Sequence, residues 1–375
     1  MPSLRPELDP DGLLEYSVVF TDRALNHMSG RFQEVMRDLD RLLRGVYRAA
    51  AVALVPGGGS YAMEAVARQL ATGQHCLVLR NGWFSFRWSQ IFEAGGIPSS
   101  STVLTASPAS DESQAPFSPA PLSEVTAAIT AERPGVVFAP HVETSAGMIL
   151  PDGYIRAVAD AVHAVGGLLV IDSVASGAAW LDMAALGVDV LISAPQKGWS
   201  AVPSCGMVMM SAAARARVEE TTSTSFANDL KRWTHIMDAY CRGGHAYHAT
   251  MPTDALRGLR DAMREAEAVG FEALREAQWS LGRAIRAELS ARGFPIVAAE
   301  GFQAPGVVVC YTRDQAIRSG RAFAEAGVQI AGGVPLRCGE PSDFMTFRVG
   351  LFGLDKLQDV ERTVRLFAEA LDRMG

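Results

Sequence analysis

The chain has 375 residues, 49% of them hydrophobic and 20% charged, with a formal net charge of −7. This length is too great for one compact core and predicts two domains. The acidic balance without a long basic run argues against nucleic acid as a partner, and no apolar run reaches the roughly 18 residues of a membrane span. Five cysteines (Cys76, Cys205, Cys241, Cys310, Cys338) are odd in number and lack CxxC spacing. They read as reduced, mostly core thiols of a cytoplasmic protein, and no metal site is expected.

Residues 1–20, with three prolines in the first ten, read as an arm rather than a signal peptide. Helical spacing over 31–48 puts Phe32, Val35, Met36, Leu39, Leu42, Leu43 and Val46 on one side. Short apolar runs then alternate with amphipathic stretches. Strands are expected at 51–55, 76–79, 135–139, 167–171, 188–192 and 207–210, with helices at 60–70, 80–92, 151–165 and 212–220. This alternation predicts an α/β domain with a mostly parallel sheet covered on both faces. The Ser-, Pro- and Ala-rich stretch 107–121 reads as a surface loop. A long helical pattern over 252–292 leads into a smaller α+β region, with strands near 307–311 and 345–349 and helices near 314–326 and 354–374. The expected division is an arm at 1–20, a large domain at 21–255, and a connecting helix with a small domain at 256–375.

Several segments carry possible chemistry. The apolar run 188–192 leads into a polar turn with Lys197, and the run 167–171 ends at Asp172. A lysine amine can form a Schiff base with an aldehyde, and a carboxylate can pair with a protonated pyridine nitrogen. Read alone, Lys197 is a solvated surface lysine and Asp172 a turn residue. Gly57-Gly58-Gly59-Ser60 follows a strand and opens a helix. Such a turn lets backbone amides approach a phosphate, or is simply a tight turn. In Asn81-Gly-Trp-Phe-Ser-Phe-Arg87, Trp83, Phe86 and Trp88 read as packing, whereas Phe84 reads equally as packing or as a stacking platform for a planar ligand. Thr144 and Ser145 follow another strand and offer hydroxyls; His141 and Glu143 read as a satisfied buried pair. Arg348, inside an apolar strand, needs an anion: a substrate carboxylate or a structural ion pair.

Taken together, Asp172-Ser-Val-Ala-Ser176, Ser193-Ala-Pro-Gln-Lys197, Tyr247-His-Ala-Thr250 and Phe347-Arg-Val-Gly350 resemble the class V aminotransferases of pyridoxal phosphate fold type I. The likeness is greatest to the alanine–glyoxylate and serine–pyruvate group, with 2-aminoethylphosphonate–pyruvate transaminase as a relative. The resemblance implies a large domain with a mostly parallel seven-stranded sheet and a smaller α+β C-terminal domain. It also implies pyridoxal 5′-phosphate held covalently by Lys197, with Asp172 on the ring nitrogen and Val174 against a ring face. By the same likeness Gly58, Gly59, Ser60 and Gln196 meet the phosphate, Phe84 stacks, and Ser145 or Thr144 lies near the ring. Tyr247 and Thr250 then reach the phosphate of a partner subunit in a homodimer, and Arg348 binds the substrate carboxylate.

Three departures bear on the substrate. Tyr16-Ser-Val-Val-Phe-Thr-Asp-Arg23 stands where the family has a Gly-Pro-Gly-Pro segment, Phe84 replaces a tryptophan, and Gly198–Cys205 replaces a proline-glycine ending. The expected activity is amino transfer from an alanine- or serine-type donor to glyoxylate or pyruvate. The alternatives are transamination of an aminophosphonate, a lyase, decarboxylase or racemase on the same scaffold, and a non-catalytic binding module.

Overall fold

The computed structural model describes Glu7, Asp9, Pro10 and residues 12–374, so the expected arm lies partly outside the described residues. Seven strands form the main sheet: β1 (Ala51–Pro56), β2 (His75–Arg80), β3 (Ser100–Thr105), β4 (Val136–Pro140), β5 (Leu168–Asp172), β6 (Val190–Ser193) and β7 (Cys205–Met210). Their order is β1-β7-β6-β5-β4-β2-β3. The β2–β3, β2–β4, β4–β5 and β5–β6 pairs are parallel, whereas β7 runs antiparallel to both β1 and β6. The central strands are continuously apolar because helices cover both faces. Leu169, Val170, Leu191 and Ile192 are fully buried, each contributing roughly 1.5–3 kcal/mol by leaving water.

Helix α1 (Gly30–Tyr47) begins where Ser29 Oγ accepts the Phe32 amide and buries Phe32, Val35, Met36, Leu39, Leu42 and Leu43 of the stripe read from the sequence; Val46 is only partly buried, and Tyr47 is buried beside it. It is followed by α2 (Gly59–Leu70), α3 (Trp83–Gly95), α4 (Leu122–Glu132), α5 (Asp152–Ala164), α6 (Met183–Leu186), α7 (Ala212–Glu220) and α8 (Leu230–Cys241). Strand β3 was not legible as a strand because it lies at the sheet edge and reads Ser-Ser-Thr-Val-Leu-Thr, polar and half-exposed. The stretch expected as loop at 107–121 contains a short ladder, Ser107–Pro108 against Phe117–Ser118, pinned by the buried Phe117 ring.

The long helical pattern over 252–292 is two helices, α9 (Thr253–Val269) and α10 (Phe271–Ala291). Gly270 separates them at φ 100, a left-handed backbone that a continuous helix cannot include. Two further expected helices are also divided, into α11 (Gln315–Arg318) with α12 (Arg321–Glu325), and α13 (Leu354–Leu357) with α14 (Val360–Met374). A three-stranded antiparallel sheet, β8 (Val307–Tyr311), β9 (Ala331–Gly332) and β10 (Thr346–Gly350), packs with them in the order β8-β10-β9. Among the described residues no helix is long and apolar enough to cross a membrane. The five cysteines are free thiols; Cys241 is exposed and the others are buried.

Candidate active site

The carboxyl ends of the parallel strands converge on one edge of the sheet, where open α/β sheets place ligands. Asp172 is paired in register with Pro140 on β4 and with Ile192 on β6. The chain is locked there by the His141 amide donating to Asp172 O (2.8 Å) and the Ser173 amide donating to Ile192 O (2.8 Å). Asp172 is thereby fixed at the strand end, with Oδ1 accepting the Val174 amide at 3.0 Å.

Lys197 follows β6 in a turn anchored by its neighbours. A side chain at Gly198 would come within 2.2 Å of Gly177 O, so glycine permits the close approach. Trp199 is buried beside Trp180, their ring centroids 4.5 Å apart, with Tyr47 and Phe271 at its edges. Ser200 Oγ accepts the Leu354 amide at 2.6 Å and ties the turn to the C-terminal region. The Lys197 ammonium lies 5.1 Å from the Phe352 ring centroid, and among the described residues no hydrogen bond or ion pair holds it.

Two glycine-headed helices meet at this edge, and their N-termini are treated differently. At α3, the fully buried Glu143 accepts the Phe84 amide (3.2 Å), the Ser85 amide (2.8 Å) and Ser85 Oγ (2.7 Å). Ser145 Oγ donates to Glu143 (2.7 Å) and accepts the Trp83 amide (2.9 Å). The positive end of α3 is therefore neutralised within the chain. No side chain caps α2, which begins at Gly59 after Gly58. A side chain at Gly59 would come within 2.7 Å of Val174 Cγ2, so the glycine lets the turn lie against Val174. Ser60 Oγ accepts from Arg87 Nη1 at 2.9 Å.

Four arginines surround the start of α3, and among the described residues none makes an ion pair. Arg87 and Arg348 place their guanidinium carbons 5.4 and 5.7 Å from the Phe84 ring centroid. Arg348 Nε donates to Gly332 O at 2.9 Å, and among the described residues the rest of its fork meets no acceptor. Arg80 lies over Phe86, and Arg337 over Trp83 and Phe86.

These charges set the proton affinities at the edge. Burial pushes the Asp172 carboxyl up to about 6, and Glu143 adds to the rise, against the Val174 hydrogen bond and the cations of Arg87 and Lys197. Burial lowers the Lys197 amine below its ordinary value; Arg348 and Arg87 lower it further, and Asp172 opposes them. A half-buried carboxyl and an amine of reduced basicity are a proton acceptor and a nucleophile in waiting.

Most of the residues singled out in the sequence meet here: Gly58, Gly59, Ser60, Phe84, Thr144, Ser145, Asp172, Val174, Lys197 and Arg348. Gln196, beside Lys197, is exposed. The Ser145 hydroxyl is occupied in holding Glu143 and α3, and Thr144 beside it is buried. Tyr247 and Thr250 instead bond each other at 3.1 Å on the surface, with Tyr247 against the His27 ring. The expected His141–Glu143 pair does not form. His141 Nδ1 bonds Ser176 Oγ at 2.7 Å, whereas the Glu143 carboxylate is taken up by the Ser85 amide and hydroxyl of α3. Sequence reading overlooked Glu143 as a cap, Arg87 and Phe352. The signal for Arg87 was its position three residues after Phe84, on the same face of α3.

The residues present fit a pyridoxal phosphate. The uncapped start of α2 beside Ser60 and Arg87 suits a phosphate, and a buried Asp172 that resists ionisation alone suits a cationic ring nitrogen. The family model described as "Aminotransferase class-V" matches residues 13–351. The chain is 32% identical over 360 residues to 2-aminoethylphosphonate–pyruvate transaminase 2 of Paraburkholderia xenovorans, covering 94% of this chain and 90% of that protein. It is 27% identical over 328 residues to 2-aminoethylphosphonate–pyruvate transaminase of Syntrophobacter fumaroxidans, covering 86% and 83%. Its fold is similar to that of an alanine–glyoxylate aminotransferase from Nostoc sp., with a TM-score of 0.79 at 23% identity over 93% of this chain and 89% of that one. The chain therefore belongs to the class V aminotransferases, with the α/β architecture of pyridoxal phosphate fold type I.

Proposed function

We propose that this protein transfers an amino group from a small aminophosphonate, of the 2-aminoethylphosphonate kind, to pyruvate, using pyridoxal 5′-phosphate. The observation that carries the reading is Arg348, half-buried beside Phe84, in no ion pair among the described residues, and close enough to lower the basicity of Lys197. Arg80 and Arg337, over Phe86, add positive charge at the start of the same helix. A phosphonate, close to a dianion at neutral pH, uses this charge more fully than the single carboxylate of alanine or serine. The names of the relatives above support the same choice, so the alanine- or serine-type donor read first from the sequence gives way to the aminophosphonate alternative.

In this reading the residues divide the work as the resemblance implies. Bound pyridoxal phosphate supplies the electron sink that makes the carbon bearing the amine acidic. Lys197 Nζ would hold the cofactor's aldehyde and move the proton at that carbon; its lowered basicity keeps a fraction neutral and ready. Asp172 would hold the cofactor's ring nitrogen in its protonated form, and Val174 and Phe84 would pack against the ring. Gly58, Gly59, Ser60 and Gln196 meet the phosphate, Thr144 lies near the ring, and Arg348 binds the donor's anionic head. Tyr247 and Thr250 complete the phosphate site of a second subunit in a homodimer. The exposed apolar side chains Leu13, Tyr16, Val18 and Phe226 support such a contact. Residues 21–255 and 256–375 act as the two domains of each subunit, and the free thiols accord with work in the cytoplasm.

The test is a donor panel with pyruvate as acceptor, measuring L-alanine formed. The reading requires 2-aminoethylphosphonate to exceed serine in kcat/KM by at least about tenfold, one decade or about 1.4 kcal/mol of discrimination. A preference for serine, or ammonia released without any need for pyruvate, would overturn it.

A further inference from the structure

The phosphate cradle named above contains no formal positive charge among Gly58, Gly59, Ser60 and Gln196, although a bound phosphate ester carries nearly two negative charges. Arg87 stands beside it. Its Nη1 donates to Ser60 Oγ at 2.9 Å, its guanidinium carbon is 5.4 Å from the Phe84 ring centroid, and no carboxylate pairs with it among the described residues. Because the Ser60 oxygen accepts from Arg87, the Ser60 hydroxyl hydrogen is free to donate elsewhere. The arginine thus polarises the one hydroxyl of the cradle and adds its charge from the neighbouring helix. At α3 the chain supplies Glu143 to neutralise the helix end; at α2 it supplies Ser60 and Arg87, both donors. One helix end is satisfied internally, and the other is arranged to receive an anion.

We infer that Arg87 is a phosphate-binding residue of the cofactor site, acting both directly through its charge and through Ser60. The inference rests on the pyridoxal phosphate reading of the site. Arg348, on the other flank of the same ring, is thereby left to the substrate, so two arginines at one aromatic side chain serve two different anions.

The experiment compares pyridoxal 5′-phosphate with pyridoxal, which has the same aldehyde and ring but no phosphate. Dissociation constants for both are measured by spectral titration of the apoprotein, for the wild type, Arg87→Gln and Arg87→Lys. Both aldehydes react with Lys197, so the ratio of the two constants isolates the phosphate. Arg87→Gln is expected to weaken pyridoxal phosphate by about 10- to 100-fold, the range of a lost charge-assisted hydrogen bond, and pyridoxal by less than about threefold. Arg87→Lys, which keeps the charge, is expected to hold the ratio within about fivefold of wild type, and Ser60→Ala combined with Arg87→Gln to lose less than the two separate effects added together. An equal loss for both ligands would mean that Arg87 only supports the fold, and would overturn the inference. So would an unchanged ratio, including one in which only the KM of the donor rises. Should the wild type itself fail to bind pyridoxal phosphate, the cofactor reading falls instead, which keeps the two failures apart. If Arg87→Gln does not fold, the Arg87→Lys and Ser60→Ala ratios decide: wild-type ratios in both would refute the role.

Discussion

Replacing Asp172 by asparagine should make the apoprotein more stable while abolishing its activity. In the folded chain, burial raises the Asp172 carboxyl from 3.8 to about 6, and only the Val174 amide and two neighbouring cations oppose the rise. The folded state therefore holds this proton more tightly than the unfolded one. Stability of the wild-type apoprotein falls as pH rises from about 4 to about 6, and above that window the full cost of the buried charge persists. A shift of this size corresponds to about 3 kcal/mol. Asparagine keeps an oxygen for the Val174 amide and carries no charge, so Asp172→Asn should recover a large part of that cost at pH 7.5. It should also lose the fall in stability between pH 4 and 6. Urea unfolding of both apoproteins across this range measures the difference, and turnover of the reconstituted enzymes measures the loss of function. A variant less stable than wild type at pH 7.5, or one that retains wild-type turnover, would refute the reasoning. The position would then be neither electrostatically costly nor needed for the ring nitrogen.

Other substitutions separate the parts of the site. Lys197→Ala should abolish turnover and the visible cofactor absorbance of the purified enzyme, read by spectroscopy after reconstitution. Arg348→Gln should lower kcat/KM for an anionic donor by about 100-fold, the loss expected when a charged anchor is removed, while leaving cofactor affinity within about threefold. Glu143→Gln should destabilise the protein by about 2–3 kcal/mol in urea, because one carboxylate accepts from Phe84, Ser85 and Ser145 and its neutral amide cannot accept from all of them. Gly59→Ala should weaken pyridoxal phosphate binding by about tenfold in spectral titration, because its new carbon would lie 2.7 Å from Val174 Cγ2 and overpacking costs about 1–3 kcal/mol.

The sequence was most readable where one physical rule dominated. Leu168–Asp172 and Val190–Ser193 are central strands buried on both sides, so their apolar runs stand out against the turns that follow. Asp172 stands out because it ends such a run, and Lys197 because it lies in the polar turn that follows one. The edge strand Ser100–Thr105 lacked that signal, since half of it faces solvent. Periodicity ran through Gly270 because the side chains on both sides of the break still face the core, although the backbone turns left-handed there. The least legible features were those made by contact across the chain. The carboxylate of Glu143 reaches α3 about 58 residues earlier, and Arg87 reaches Ser60 on the preceding helix. Neither follows from local spacing. Tyr247 and Thr250 were singled out by resemblance alone, and within the chain they bond only each other's hydroxyls among the described residues.

The central claim is most directly tested by the isolated half-reaction. Purified enzyme loaded with pyridoxal phosphate is mixed with 2-aminoethylphosphonate in the absence of an acceptor, and the cofactor spectrum is followed through one turnover. The account predicts complete conversion to the pyridoxamine form with one equivalent of aldehyde released, restoration of the original spectrum on adding pyruvate, and one equivalent of L-alanine. An unchanged spectrum, or free ammonia with the cofactor returned to its starting form before pyruvate is added, would contradict it.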